Sequence, residues 1–381
     1  MKAGVSLYLK DLRLVNFRNF KHQELTFEPG VFIIQGANGQ GKSNLLESIY
    51  VLCFGRSYRT RKELDLIYWN DPFYYLKGHV YTDDRLYRLE VGYEVAKKRK
   101  VVKLNGRVNN KHREDIFFPV VFFVPEDLEL VRRGPEERRK FMDLEISQFD
   151  PIYANYLARY KKALFQKNRL LKENRPGSAL ENMLRPWNEQ LIYFGSRVAQ
   201  KRYQFLVDLN RLAAKNYSHL FQEELQLSIM YHSFMAAEEF EHEIEIVEKN
   251  FRLEMDKIEG EEKKRGFCLI GPHKDDLVFL LNGREARRFA SHGQQRGVVI
   301  SLKAAQIQFY NENDKKPIFL LDDIFSELDE MRREQCFSLF DQAGQVFLSI
   351  TRKENYMEPF LKRFENRFFY SVEKGQVTVV S

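Results

Sequence analysis

An α/β architecture, assembled from both ends of the chain around a helical insert, is predicted by three stretches of this sequence. The first is Val31-Phe32-Ile33-Ile34, apolar at every position, as a strand buried on both faces has to be. It runs into Gly36-Ala37-Asn38-Gly39-Gln40-Gly41-Lys42-Ser43 and then into a segment whose apolar residues Leu45, Leu46, Ile49 and Leu52 share a helix face. The second is Lys316-Pro317-Ile318-Phe319-Leu320-Leu321-Asp322-Asp323, another apolar strand, ending in two carboxylates. The third lies between them: over residues 140–263 the apolar spacing turns helical.

The glycine loop fits G-x-x-x-x-G-K-[ST], the phosphate-binding loop of nucleotide hydrolases. A strand, a glycine loop and a helix start let the backbone amides of Gly36, Ala37, Asn38, Gly39, Gln40 and Gly41 converge on a phosphate chain, with Asn44 opening the helix. Lys42 is expected to neutralise the terminal phosphates, and the Ser43 hydroxyl to ligate Mg²⁺. A loop of this type needs a second strand carrying acid. Asp322 is the expected metal carboxylate, and Asp323 the group that positions or deprotonates the attacking water.

Composition bounds the rest. The chain has 381 residues, 44% hydrophobic and 30% charged, enough for two lobes with a sizeable core. A net charge of +7 permits an acidic or nucleic-acid partner without demanding one. Cys53, Cys268 and Cys336 form no C-x-x-C pair, which argues against a disulfide framework or a zinc site and for a reducing cytoplasm. Met1 to Lys10 lacks the apolar core of a signal peptide, and no stretch approaches the ~20 apolar residues that span a bilayer. A soluble cytoplasmic protein is expected.

Taken in order, Leu7 to Phe17 reads as an opening strand, with Leu7, Leu9, Leu12 and Leu14 as its apolar members. Phe17-Arg18-Asn19-Phe20 ends it, Leu25 to Phe27 is a further strand, and Pro29-Gly30 turns the chain towards the glycine loop. Past the first helix, Gly55-Arg56-Ser57-Tyr58-Arg59-Thr60-Arg61-Lys62 is a basic loop. It suits a nucleotide or a nucleic-acid backbone, and equally an exposed connection; Arg56, Arg59, Arg61 and Lys62 are the candidate DNA contacts. Tyr75 to Val108 alternates like an antiparallel sheet, with Asn105-Gly106 as a hairpin turn. Pro119 to Val124 is a buried strand. Helical spacing covers about Glu136 to Asn174, is broken by Arg175-Pro176-Gly177-Ser178, and resumes from Leu184 to Leu209. Leu225 to Tyr231 alternates as a strand, and Ile244 to Ile258 is helical. Phe267 to Ile270 and Leu277 to Leu281 are expected strands flanking Gly271-Pro272-His273-Lys274-Asp275-Asp276. The expected division is 1–139, 140–263 and 264–381, the outer two forming one lobe. The insert is too short for a long coiled-coil arm.

The order of the remaining motifs narrows the reading. After the insert come Ser291-His292-Gly293-Gln294-Gln295-Arg296, the acidic strand, and Ser326-Glu327-Leu328-Asp329. This order resembles the ATP-binding-cassette ATPases of the SMC branch. Within that branch, the glycine loop with Asn44-Leu45-Leu46-Glu47, the Gly271–Leu277 block, the Ser291 block and Leu321–Asp329 are similar to the RecF family. The resemblance implies an SMC-type ATPase head with an inserted helical lobe, and ATP and Mg²⁺ as cofactors. It implies an ATP-dependent homodimer in which Ser291, Gly293 and Gln294 of one copy reach the γ-phosphate held by the other, with Asp329 in the loop that crosses the dimer. It places Arg18 near the nucleotide phosphates. It further implies binding of duplex or gapped DNA in recombinational repair and replication restart, with RecR and RecO as partners in loading RecA, and no membrane. Cassette ATPases commonly carry Glu where this chain has Asp323, one methylene shorter, which implies slow hydrolysis. Thr351 stands where many transporters have histidine, and Glu126 near the expected glutamine loop. The competing readings are the ATPase subunit of a membrane transporter and a DNA scaffold with a structural ATP site.

Overall fold

A computed structural model describes residues 7–82, 84–108, 118–173, 178–221, 225–351 and 357–380. In chain order the strands and helices of the first part are β1 (Tyr8–Phe17), β2 (Phe20–Thr26), β3 (Val31–Gln35), α1 (Lys42–Phe54), β4 (Phe73–Thr82), β5 (Arg85–Glu94), β6 (Arg99–Leu104), β7 (Arg107–Val108) and β8 (Val120–Phe123). The middle holds α2 (Pro135–Phe149), α3 (Pro151–Lys172), α4 (Ser178–Phe221), β9 (Leu227–His232), α5 (Ile244–Arg265), β10 (Asp276–Leu281), β11 (Arg284–Glu285), α6 (Ala286–Phe289) and α7 (His292–Glu312). The chain closes with β12 (Ile318–Asp322), α8 (Glu330–Ser338), β13 (Gln345–Ile350), α9 (Glu358–Leu361), β14 (Arg367–Glu373) and β15 (Gln376–Val380). Two compact units result, Met1–Leu128 with Lys303–Ser381, and Glu129–Leu302.

The first unit is built on two six-stranded sheets. In one the order is β15-β14-β3-β13-β12-β8, with β14, β3, β13, β12 and β8 parallel and β15 antiparallel at the edge. Every residue of β12 and β13 is buried, as are Val31 to Ile34, which is why these strands read as unbroken apolar runs. The register matters for function. Ile34 pairs with Ser349, and Ser349 with Asp322, so one row crosses the three strands at the end where the glycine loop leaves β3.

The second sheet is antiparallel, in the order β2-β1-β4-β5-β6-β7. At the β6–β7 turn, Asn105 and Gly106 have φ of 49° and 79°, the left-handed pair of a two-residue hairpin. The apolar spacing of β1 slips between Leu9 and Leu12 because a bulge shifts the register at Leu9/Asp11. The side chain of Gln345 takes up the backbone of Leu9, accepting from its N–H at 2.9 Å and donating to its C=O at 3.1 Å. β2 is longer than the expected Leu25 to Phe27. It starts at Phe20, paired with Phe17, and its polar side chains hide it from any hydrophobicity pattern. Helix α1 packs against strands of both sheets, and Leu45, Leu46, Ile49, Val51 and Leu52 are all buried.

The second unit contains the helices α2–α5, the sheet β11-β10-β9 and the first part of α7. The helical pattern from Glu136 is two helices, because Pro151 has no N–H to continue α2. Asp150 caps α3 by accepting from the N–H of Tyr153 at 3.1 Å. The expected breaker Arg175-Pro176-Gly177 lies outside the described residues, and Ser178 opens α4. The expected strand at Phe267 to Ile270 is absent. The N–H of Cys268 donates to Asn168 Oδ1 and that of Leu269 to Glu262 Oε1, both at 2.7 Å, so side chains take the amides a ladder would have used.

A buried charge holds this unit together. Arg202, 2% exposed, donates to Asp275 Oδ2 (2.8 Å), Asp143 Oδ1 (2.7 Å), Pro272 O (2.6 Å) and the Tyr153 hydroxyl (3.0 Å). Asp275 is fully buried and also accepts from Ser233 Oγ at 2.7 Å and from the Tyr231 hydroxyl. Its neighbour Asp276 takes Arg138 with two 2.7 Å bonds. Replacing Arg202 with Met leaves the Asp275 carboxylate buried without its cation, a loss of about 3–5 kcal/mol. Loss of helical circular dichroism at lower denaturant in Arg202→Met than in wild type is the expected result.

Candidate nucleotide-binding site

The loop after β3 is held by close backbone approaches that exclude side chains. A Cβ at Gly36 would lie 2.5 Å from Val372 O, and one at Gly41 2.6 Å from the Asn19 amide, while Gly41 itself has φ of 122°. Two turns brace the loop. Asn19, between β1 and β2, donates to Gln40 O at 2.8 Å and accepts from Asn44 Nδ2 at 2.9 Å. From the β14–β15 turn, the N–H of Gly375 donates to Gln40 O (3.1 Å) and that of Lys374 to Gln40 Oε1 (2.8 Å).

Lys42 is 5% exposed, and its ammonium donates to Gly36 O at 2.7 Å and Ala37 O at 3.2 Å. Burial lowers its pKa, against the pull of Asp323 and Asp322 in the other direction. Ser43 Oγ donates to Asp322 Oδ1 at 2.9 Å, which joins the two halves of the motif across 279 residues of sequence. Ser349 completes this contact. Its hydroxyl donates to the same Asp322 oxygen at 2.7 Å and accepts from the N–H of Asp323 at 2.9 Å. Asp323 is half-buried with φ of 50°, and burial raises its carboxyl pKa, aided by Asp322 and Glu327 and opposed by Lys42.

Behind the loop, the carboxylate of Glu47 is fully buried and receives Arg18 Nε at 2.9 Å and Nη2 at 2.8 Å, with the Ser57 hydroxyl. Arg18 Nη1 donates to Asp65 O at 2.7 Å, so this guanidinium ties α1 to the chain beyond the basic loop. Arg56, Arg59, Arg61 and Lys62 are all exposed, and Arg59 also donates to Asn44 Oδ1 at 2.9 Å, which draws it to the glycine-loop helix. Asp329 caps α8, accepting from the N–H of Arg332 at 3.0 Å. Thr351 lies half-buried just past β13, and Glu126 is exposed in the turn after β8.

Ser291, Gly293 and Gln294 belong to the second unit. There Ser291 caps α7: the N–H of Gln294 donates to Ser291 Oγ at 3.2 Å, and the N–H of Ser291 to Gln294 Oε1 at 2.9 Å. This is a reciprocal capping box. Buried Gln295 seats the helix start by donating to Ala286 O and Ala290 O and accepting from Arg132.

The residues present fit a nucleoside triphosphate with Mg²⁺. A buried lysine stands beside two carboxylates on a loop of close-packed glycines, and a hydroxyl and a carboxylate converge at 2.9 Å. Among the described residues no group of three or more His, Cys, Asp or Glu could hold a metal unaided. Ser43 and Asp322 would supply protein ligands to Mg²⁺, an ion commonly shared between one or two protein ligands and phosphate oxygens. Sequence reading assigned Ser349 no role, and Glu47 none beyond its place in the block that follows the glycine loop. A serine in an apolar strand and a glutamate in a helix carry no pattern until the register is known.

The family model of the RecF/RecN/SMC N terminal domain matches residues 8–370. The chain is 37% identical to the DNA replication and repair protein RecF of Desulfitobacterium hafniense, over 97% of this chain and 98% of that protein. The chain belongs to the RecF family. RecF of Natranaerobius thermophilus is likewise 37% identical, over 91% of this chain and 92% of that one. A solved structure of the recombination mediator protein RecF with ATP, in the RecFOR pathway, matches with a TM-score of 0.89 at 32% identity, covering 100% of this chain and 99% of that one. An Smc head domain from Pyrococcus furiosus matches at 0.55 and 17% identity, over 98% and 96% of the two chains, which shows the shared ATPase-head fold. Membership of the RecF family does not favour the transporter reading. No helix among the described residues is long and apolar enough to cross a membrane.

The raised pKa of Asp323 has a sign that can be measured. The folded protein binds this proton more tightly than the unfolded chain, so the contribution to stability is present below the unfolded pKa and lost as pH rises through the native value. At neutral pH the ionised carboxylate is a burden, and asparagine tolerates the left-handed φ. Asp323→Asn should therefore melt higher than wild type at neutral pH without nucleotide, with the gap closing as pH falls through the carboxylate range. Its ATP turnover should fall by about 10²–10⁴-fold, the span of a lost general base. A lower melting temperature at neutral pH would mean that the attraction of Asp323 for Lys42 outweighs its desolvation.

Proposed function

We propose that this protein is a slow, Mg²⁺-dependent ATPase that acts as an ATP-gated DNA-binding protein in recombinational repair and replication restart. The observation that carries the reading is the meeting of Ser43 and Asp322, with Ser349 holding both Asp322 and the backbone of Asp323. In this reading residues 36–44 surround ATP, Arg18 braces them from behind through Glu47 and does not touch the phosphates as the family resemblance implied, Lys42 neutralises the terminal phosphates, and Ser43 and Asp322 hold Mg²⁺. The metal, when bound, screens the charge of the phosphate oxygens. Asp323 accepts a proton from the attacking water, and its short side chain keeps turnover slow.

Two copies join head to tail, each offering Ser291, Gly293 and Gln294 to the nucleotide of the other, with Asp329 at the crossing. ATP then links the subunits, and dimerisation follows its concentration by mass action. The joined heads hold duplex or gapped DNA, with Arg56, Arg59, Arg61 and Lys62 as exposed contacts, and hydrolysis releases it. A RecF relative solved with ATP and described within the RecFOR pathway supports RecO and RecR as partners, with loading of RecA as the outcome. The cytoplasm is the site of action.

Solution mass with no nucleotide, ADP or ATP tests the proposal. A monomer that becomes a dimer only with ATP is expected. Lys42→Ala should weaken ATP binding by ~10²-fold or more, the scale of a lost charge-assisted contact in a desolvated site. Ser291→Ala would also lose about 1 kcal/mol of helix capping, so Ser291→Asn, which keeps the cap, is the cleaner variant. It should bind ATP normally and remain monomeric. A dimer formed by Ser291→Asn with ATP would sink the trans contact, and normal ATP binding with no turnover would favour the scaffold reading.

A further inference from the structure

Helix α3 carries no acidic residue in 22 positions and six basic ones, Arg159, Lys161, Lys162, Lys167, Arg169 and Lys172. This local excess compares with +7 for the whole chain. Two of the six have structural duties. Lys167 is buried against Glu262 at 2.6 Å, and Lys161 reaches Asp143 at 3.0 Å. The other four stand with Phe165 at 159, 162, 165, 169 and 172, steps of three and four that trace a single stripe. The stripe faces solvent. Phe165 is 65% exposed and the Arg169 side chain 62%, and Arg159, Lys162 and Lys172 are exposed too. The opposite face buries Tyr153, Leu157, Tyr160, Ala163 and Leu170.

Like charges at this spacing repel, each pair costing an isolated helix about 0.2–0.5 kcal/mol. The fold returns little of it. Arg169 has Glu173 at 3.5 Å, whereas Lys162 and Lys172 make no ion pair among the described residues. Arg159 lies 5.5 Å from the centre of the Phe194 ring, and on the same helix Arg197 lies 3.5 Å from that of Tyr193, so aromatic rings border the stripe.

We propose that this stripe of α3 is a docking surface for the phosphate backbone of duplex DNA. The inference rests on the DNA-binding reading above and says where the DNA sits. From Arg159 to Lys172 the helix rises ~20 Å, about the length of six base pairs at 3.4 Å per phosphate along a strand. Two pairs of cations, Arg159 with Lys162 and Arg169 with Lys172, lie one helical step apart within each pair and seven residues, ~10 Å, apart between them, so positive charge is spread along a line and complements the line of phosphates on a strand. A protein partner would call for a clustered apolar centre, and Phe165 is the one large apolar side chain in the stripe. Contacts of this kind position DNA without reading sequence.

The test titrates a short labelled duplex into the full-length protein with ATP over a range of salt. Arg159→Gln/Lys162→Gln/Arg169→Gln/Lys172→Gln should bind at least ~10²-fold more weakly at physiological salt, and its log–log salt slope should fall by about 3–4. Its nucleotide-dependent mass and DNA-free ATP turnover should match wild type, which shows that the fold and the ATP site are intact. Lys162→Gln/Lys172→Gln, whose side chains make no ion pair among the described residues, should give about half the change in slope. Either variant binding DNA with wild-type affinity and slope overturns the proposal, including where it has lost an acidic protein partner instead. A larger loss in Arg56→Gln/Arg61→Gln/Lys62→Gln than in the α3 variants would move the DNA to that loop and overturn it as well. Wild type that holds no DNA in any nucleotide state overturns the functional reading along with it.

Discussion

The hydrogen bond from Ser43 to Asp322 is the contact on which the site depends, and it exists because of strand register. β3, β13 and β12 lie side by side and parallel, so the loop leaving β3 and the acids ending β12 emerge at the same edge of the sheet. The intervening strand supplies Ser349 in the row between them. A slip of one residue in any of these strands would turn Asp322 or Ser349 to the opposite face. The buried apolar side chains of all three strands resist that slip, so hydrophobic packing, and not the polar contacts themselves, sets the geometry at 2.9 Å.

Around this core the loop is braced by parts of the chain that are distant in sequence. Asn19 near the start and Lys374-Gly375 near the end both bond Gln40, and Glu47 gathers Arg18 and Ser57 behind α1. Bracing of this sort holds the loop backbone before any phosphate arrives, which lowers the entropy lost on binding. It also gives the basic loop a double character. Arg59 bonds Asn44 and remains exposed alongside Arg56, Arg61 and Lys62, so one segment touches both the nucleotide loop and solvent.

The second unit solves a different problem. Its helices are joined through a buried polar network in which Arg202 and Arg138 answer Asp275, Asp143 and Asp276. The block Gly271 to Asp276 supplies two of those carboxylates and the Pro272 carbonyl, and His273 bonds the Tyr160 hydroxyl and lies 3.2 Å from Cys268 O. Burial pushes the His273 pKa down to about 4, so its ring stays neutral at physiological pH and the network carries no surplus positive charge there. This block is a structural fastening of its own unit.

Much of the fold was legible in the sequence because the governing signals are local. A glycine loop between an apolar strand and a helix, two acids closing an apolar strand, and Asn-Gly turns each declare themselves within ten residues or so. The expected α/β head with a helical insert follows from them, and so do the expected positions of Lys42, Ser43, Asp322 and Asp323. What local pattern could not see was set by partners far along the chain. The polar strand β2 exists because β1 pairs with it; the Phe267–Ile270 strand fails because Asn168 and Glu262 capture its amides. Ser349 and Glu47 gain meaning only when strand order and burial bring Asp322 and Arg18 to them. Sequence alone determined which chemistry the chain can perform, since residue type and short spacing are local properties. Tertiary structure decided which side chains hold that chemistry in place, since register and burial are properties of the whole sheet.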